Sequence, residues 1–121
     1  MGNENRQYYD LDVWKEARKL VSVIYDLSRL FPDEEKYALT SQIRRAAISV
    51  PSNIAEGIGR QHTTERIQYM YISRGSLYEI ETQLFLALDQ NYIVQQDLDT
   101  LITQITSCKK LIQGYINYLK K

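Results

Sequence analysis

Apolar residues return every three or four positions in four separate stretches of the chain, each long enough for one helix of a bundle. In the first, opening at Asp10 or Asp12, Leu11, Trp14, Ala17, Leu20, Val21, Ile24, Leu27 and Phe31 make one apolar face, and Pro32 ends it. Asp33 to Lys36 is a charged connector of the length that joins neighbouring helices. In the second, steps of roughly 100° per residue gather Leu39, Ile43, Ala46, Ala47, Val50, Ile54 and Ile58 into a core stripe. Gln42, Arg45, Ser49, Ser52, Asn53, Glu56 and Arg60 gather on another side. Pro51 forfeits a backbone hydrogen bond inside this pattern, which predicts one helix kinked near Ala47 to Pro51 and not two helices. Gly57 and Gly59 loosen and finish it.

After a turn at Gln61 to Thr63, Thr63 or Thr64 is expected to cap a third helix that runs to about Asp89, with Glu65 well placed in its first turn. Ile67, Tyr69, Met70, Tyr71, Leu77, Tyr78, Ile80, Leu84, Phe85, Ala87 and Leu88 cover more than half of its circumference. One bundle face cannot use them all, so this helix needs a further neighbour, which another copy of the chain could supply. Asn91 suits a left-handed cap, and Asp97 is expected to open a last helix. That helix carries Leu98, Leu101, Ile102, Ile105, Cys108, Leu111, Ile112, Tyr115, Ile116 and Leu119. With short connections and no strand pattern, residues 11–121 read as an all-α, antiparallel up-down-up-down four-helix bundle. Residues 1–10 read as a partly ordered arm that only Tyr8 and Tyr9 could tie down.

Charge narrows the function. Lys plus Arg number 15 and Asp plus Glu 15, so the molecule has no overall field to draw in nucleic acid or an anionic membrane. Any polyanion site must be local. The interval from Lys36 to Arg66 is locally basic: Lys36, Arg44, Arg45, Arg60 and Arg66 face only Glu56 and Glu65. Cys108 alone cannot form an intrachain disulfide, and Met1 to Asp10 lacks an apolar core of the signal-peptide kind, so the expected compartment is the cytoplasm. No run of 18 apolar residues marks a membrane span.

Few residues offer chemistry. His62 is the single histidine, in a polar turn, with no Glu three residues before it, so no metal site is expected. Cys108 falls on the apolar stripe of the last helix, where it should be a small core residue and not a nucleophile. Glu79 and Glu81 lie about 200° apart on one helix, so at most one could join Glu56 as an acid and base pair. The alternative is a polar network between helices or subunits drawn from Arg45, Ser49, Asn53, Glu56, Glu79 and Gln83. Gly57-Ile58-Gly59 is not a phosphate loop, because no strand precedes it. Arg60, His62 and Arg66 do surround the start of the third helix, where an anion is electrostatically favoured. Ten tyrosines suit either base stacking or packing; Tyr78 and Tyr115 fall on or near core stripes, which favours packing.

The segment Gln42 to Gly57, followed by Arg60, then Gly75-Ser76-Leu77-Tyr78-Glu79-Ile80-Glu81-Thr82-Gln83-Leu84, resembles the 23S rRNA-intervening-sequence protein family, also called the four-helix bundle protein family. Leu11-Asp12-Val13-Trp14 fits as well, and the match spans about Leu11 to Leu119. The resemblance implies the same bundle. It implies little about activity, since the family is named for reading frames inside inserted segments of ribosomal RNA genes. A related branch comprises accessory proteins of diversity-generating retroelements, which are basic pentameric barrels that work with a reverse transcriptase and nucleic acid. By resemblance, Arg45, Ser49, Asn53, Glu56 and Glu79 are the motif positions to follow.

Two functions are therefore expected to compete. One is a non-enzymatic, ring-forming homo-oligomer, a pentamer by resemblance, with an accessory or scaffold role and no cofactor, membrane or small-molecule substrate. The other is an RNA- or DNA-binding module that uses a basic face of the second helix, with Arg44, Arg45, Arg60, His62 and Arg66 as the anion-binding residues.

Overall fold

The computed structural model describes residues 6–121, so the first five residues of the expected arm lie outside the described residues. Four long helices carry the fold: α1 (Asp12–Ser28), α2 (Leu39–Ile58), α3 (Thr63–Asp89) and α4 (Gln95–Leu119). Short 3-10 turns at Tyr8–Asp10 and Asp33–Glu35 precede α1 and α2, and there is no strand among the described residues. Tyr8 packs edge-on to Trp14, with ring centroids 5.3 Å apart, which joins the first turn to α1.

The apolar period of the first stretch reaches Phe31, but α1 stops at Ser28. Pro32 disfavours helical geometry at the residue before it. The chain turns instead, with the Leu30 and Phe31 amides donating to the Leu27 and Ser28 carbonyls. Phe31 then enters the core beside Tyr92, with ring centroids 5.5 Å apart. Two helix starts also differ from expectation. His62, not Thr63 or Thr64, occupies the N-cap position of α3, because the His62 carbonyl already accepts the Arg66 amide at 3.1 Å. Likewise α4 opens at Gln95, ahead of Asp97. The Val94 carbonyl accepts the Asp97 amide at 3.0 Å, and the Asp97 carboxylate reaches back to the Val94 amide at 3.2 Å. Asp97 is thus the reciprocal partner in the first turn and not the residue that begins it. Asn91 takes the left-handed conformation expected of it, with φ 64°. The following Tyr92 amide donates to the Ala87 carbonyl, which closes the end of α3.

α2 continues through Pro51 as one helix. Carbonyls beside the proline receive extra side-chain donors: Asn53 Nδ2 donates to the Ser49 carbonyl and Ser73 Oγ to the Val50 carbonyl, each at 2.8 Å. Its core stripe is as expected at Ile43, Ala46, Ala47, Val50 and Ile54, while Leu39 and Ile58 are half-buried. The seam with α3 is the most extensive in the molecule, and residues on it pair in opposite sequence order. Gly57 lies against Tyr69 and Met70, Val50 against Ser73, and Ser49 against Ser76. Small residues on both sides bring the two helices close. The seam between α1 and α4 is the slimmest of the four.

Candidate functional site

The arginines proposed from sequence do not form one site. Arg44 and Arg45 sit near the start of α2, whereas Arg60 follows its end, roughly 20 Å away at 1.5 Å per residue. Arg60 is already engaged: Nη2 donates to Glu56 Oε2 at 3.1 Å and to Tyr69 Oη at 2.7 Å, and the guanidinium stacks 4.9 Å from the Tyr69 ring centroid. Arg66 Nε donates to the Arg60 carbonyl at 2.6 Å. These bonds latch the turn between α2 and α3. His62 is exposed beside them. Arg60 and Arg66 thus form a structural clasp with Tyr69 and Glu56, and the two arginines are not a free anion site.

The polar network drawn from sequence divides as well. Asn53 Nδ2 donates to Ser49 Oγ at 2.8 Å, and Ser76 Oγ donates to Ser49 Oγ at 2.8 Å, which ties α2 to α3 inside one chain. Ser73 and Ser76, which complete this seam, were missed in the sequence reading, although they stand three apart on the stripe that holds Met70, Leu77 and Ile80. Glu56 belongs to the clasp. Arg45 and Glu79 are exposed. Gln83 Oε1 is buried with no hydrogen-bond partner among the described residues. Glu81 instead pairs with Lys109 of α4 at 2.7 Å.

Opposite its core stripe, α3 presents a second apolar face to solvent. Tyr71, Ile72, Gly75, Tyr78, Phe85 and Leu86 are exposed, within roughly 140° of the circumference when projected at 100° per residue, with exposed Glu79 and Thr82 interspersed among them. Tyr78 was expected on or near the core, but it is 54% exposed; Leu77 and Ile80 take the core stripe, and one residue's step of about 100° carries Tyr78 away from it. Cations from α4 and from Lys120 just after it pin the tyrosines in place. Lys109 Nζ lies 3.8 Å from the Tyr78 ring centroid, and Lys120 Nζ donates to Tyr71 Oη at 3.1 Å. Gly75 has open space where a Cβ would project, so nothing inside the chain accounts for a glycine there.

Cys108 is buried, and burial pushes its thiol up to about 11, which leaves it protonated and unreactive at neutral pH. Among the described residues no group of three His, Cys, Asp or Glu side chains could hold a metal ion. Among them also, no helix is long and apolar enough to cross a membrane.

The model of the 23S rRNA-intervening sequence protein family matches residues 9–114. The chain belongs to that family. No curated protein matches it. A crystallised protein of unknown function from the S23 ribosomal protein family, from Bacteroides thetaiotaomicron VPI-5482, is similar in structure, with a TM-score of 0.79. The likeness covers 86% of this chain and 97% of that one at 24% identity, and at that identity it speaks for the fold alone. For this member of the 23S rRNA-intervening sequence family, the motif from Gln42 to Gly57 has a physical content. Ser49, Val50, Asn53 and Gly57 are the small or hydrogen-bonding residues that let α2 press against α3.

Proposed function

We propose that this protein is a non-enzymatic, cytoplasmic accessory or scaffold protein that assembles into a ring of identical copies, five by resemblance to the retroelement accessory proteins. The observation that carries this reading is the exposed apolar face of α3. Fully burying an exposed Ile, Leu or Phe side chain is worth about 1.5–3 kcal/mol, and Ile72, Phe85 and Leu86 are each about half exposed, so covering all three gives a neighbouring copy about 2–4 kcal/mol of reason to dock. A head-to-tail contact of this kind closes into a ring when its rotation allows. Sedimentation velocity at micromolar concentration tests it. The wild-type chain should sediment as a multiple of 14.2 kDa, and the pair Ile72→Glu with Phe85→Glu should reduce it to a folded monomer. A wild-type monomer overturns the reading.

A second reading, RNA or DNA binding by a basic face of α2, is supported only near the start of that helix. There Arg44 and Arg45 have no carboxylate within ion-pair distance among the described residues. Binding of this kind weakens steeply with salt, and no mobility shift with structured RNA or DNA at low salt overturns it.

A further inference from the structure

A groove of about 550 Å³ lies between α1 and the start of α2. Tyr25, Lys36, Tyr37, Thr40, Arg44 and Arg45 are among its lining residues, and no carboxylate lines it. Glu35, next in the chain, sets its carboxylate at the head of α2, where it accepts the Leu39 amide at 3.2 Å and Tyr92 Oη at 2.7 Å.

Arg44 is held in position. Its Nε donates to Ser28 Oγ at 2.8 Å, and its guanidinium lies 4.7 Å from the Tyr25 ring centroid. The two terminal nitrogens are therefore presented as a fixed fork with no protein acceptor among the described residues, the geometry that suits a phosphate at small entropic cost. Thr40, only 9% exposed, lines the same groove, and its hydroxyl has no hydrogen-bond partner among the described residues. It stands in the first turn of α2, whose start already holds the Glu35 carboxylate, so side chains and not the helix start are what the groove offers a phosphate. Tyr37 is 87% exposed, with Lys36 Nζ 5.5 Å from its ring centroid. An aromatic ring held in water beside a cation contributes nothing to the core, but it offers a face to a planar ligand. The other basic cluster, Lys15, Arg18 and Lys19 on α1, lacks these features: Lys19 is paired with Glu16 at 2.9 Å, and no buried hydroxyl takes part.

We propose that this groove binds the phosphate of a nucleotide, through Arg44, Arg45 and Lys36, with the base stacked on Tyr37. The nucleotide is free or stands at the end of a strand. This deepens the nucleic-acid reading by naming its site and ligand chemistry, and it does not depend on the ring.

The test is fluorescence anisotropy at low salt on the full chain, with a labelled, 5′-phosphorylated single-stranded oligothymidylate and, separately, competition by adenosine monophosphate. Tyr37→Ala and Arg45→Gln alter exposed side chains, so both variants should fold. Each should weaken binding about tenfold or more, the scale of one lost stacking or charge contact, while Lys15→Gln on α1 changes it by about twofold or less. Effective competition by the mononucleotide identifies a free nucleotide as the ligand, and binding of the phosphorylated strand alone identifies a strand end; either result upholds the groove. If the strand binds but the groove variants bind as tightly as wild type, the groove is wrong while the broader nucleic-acid reading survives. Mononucleotide binding without strand binding upholds the groove and removes the nucleic-acid module. Equal competition by polyglutamate would mean a site for protein carboxylates, and that result, or no binding at all, overturns the proposal.

Discussion

Gly57→Ala tests whether the seam between α2 and α3 is as tight as described. A Cβ placed on Gly57 would stand 2.7 Å from Tyr69 Cβ, 3.0 Å from Met70 Cε and 3.2 Å from the Arg66 carbonyl oxygen. The methionine methyl can swing aside. Tyr69 Cβ and the Arg66 backbone cannot, because Tyr69 is clasped by Arg60 and Arg66 lies in the first turn of α3. Overpacking of this kind costs about 1–3 kcal/mol. The gain in helix propensity from glycine to alanine returns at most about 1 kcal/mol, and less so near a helix end. The net effect is a loss of about 1–2 kcal/mol. At an unfolding entropy of about 2.1 cal/mol/K per residue, a chain of 121 residues should melt about 4–8 °C lower. Gly114→Ala is the matched control, since nothing lies within 4 Å of its Cβ position, and it should melt at or slightly above wild type. Both are read by thermal and urea unfolding at one fixed protein concentration, because self-association makes Tm depend on concentration. A Gly57→Ala protein as stable as Gly114→Ala would refute the close approach.

Leu84 is fully buried, so Leu84→Ala should cost about 2–5 kcal/mol through the cavity it leaves; a loss below about 1 kcal/mol would contradict its place in the core. Tyr92 is pushed up to about 12, first by its hydrogen bond to Glu35. A raised folded-state value gives stability that is complete below the unfolded tyrosine value near 10 and is lost as pH rises toward 12. Wild type should therefore lose stability more steeply than Tyr92→Phe across that window, and parallel curves in urea titrations would rule the linkage out. Cys108 should resist a thiol reagent at pH 7 in the folded protein and react once unfolded, and rapid labelling of native protein would show that it is not enclosed.

Much of the architecture was legible because periodicity survives on α1, α2 and α4, where one side is apolar and the other is not. Asn91 could be read too, since few residues other than glycine accept a positive φ. Helix ends were harder. Phe31 and Asp97 both belong to the apolar or capping pattern, yet the backbone turns before one and begins to coil ahead of the other. The candidate sites were only partly legible, because a charge in sequence does not show what neutralises it. Arg60 and Arg44 look alike in the chain, but Tyr69 and Glu56 consume the first, whereas only Ser28 and Tyr25 hold the second. Tyr37 and Thr40 gave no signal at all, since their meaning depends on a groove made by residues from two helices.

The four helices are unequally joined, and this ranks them by how readily each can leave the body. Where the first and last helices meet, little holds them, and Leu11, Gly114 and Tyr118 flank an opening there. Breathing motions should begin along that line, so amide protons of the outer pair should exchange with deuterated solvent well before those at the heart of α2 and α3. The middle hairpin would then persist as the last ordered unit when the rest has come apart.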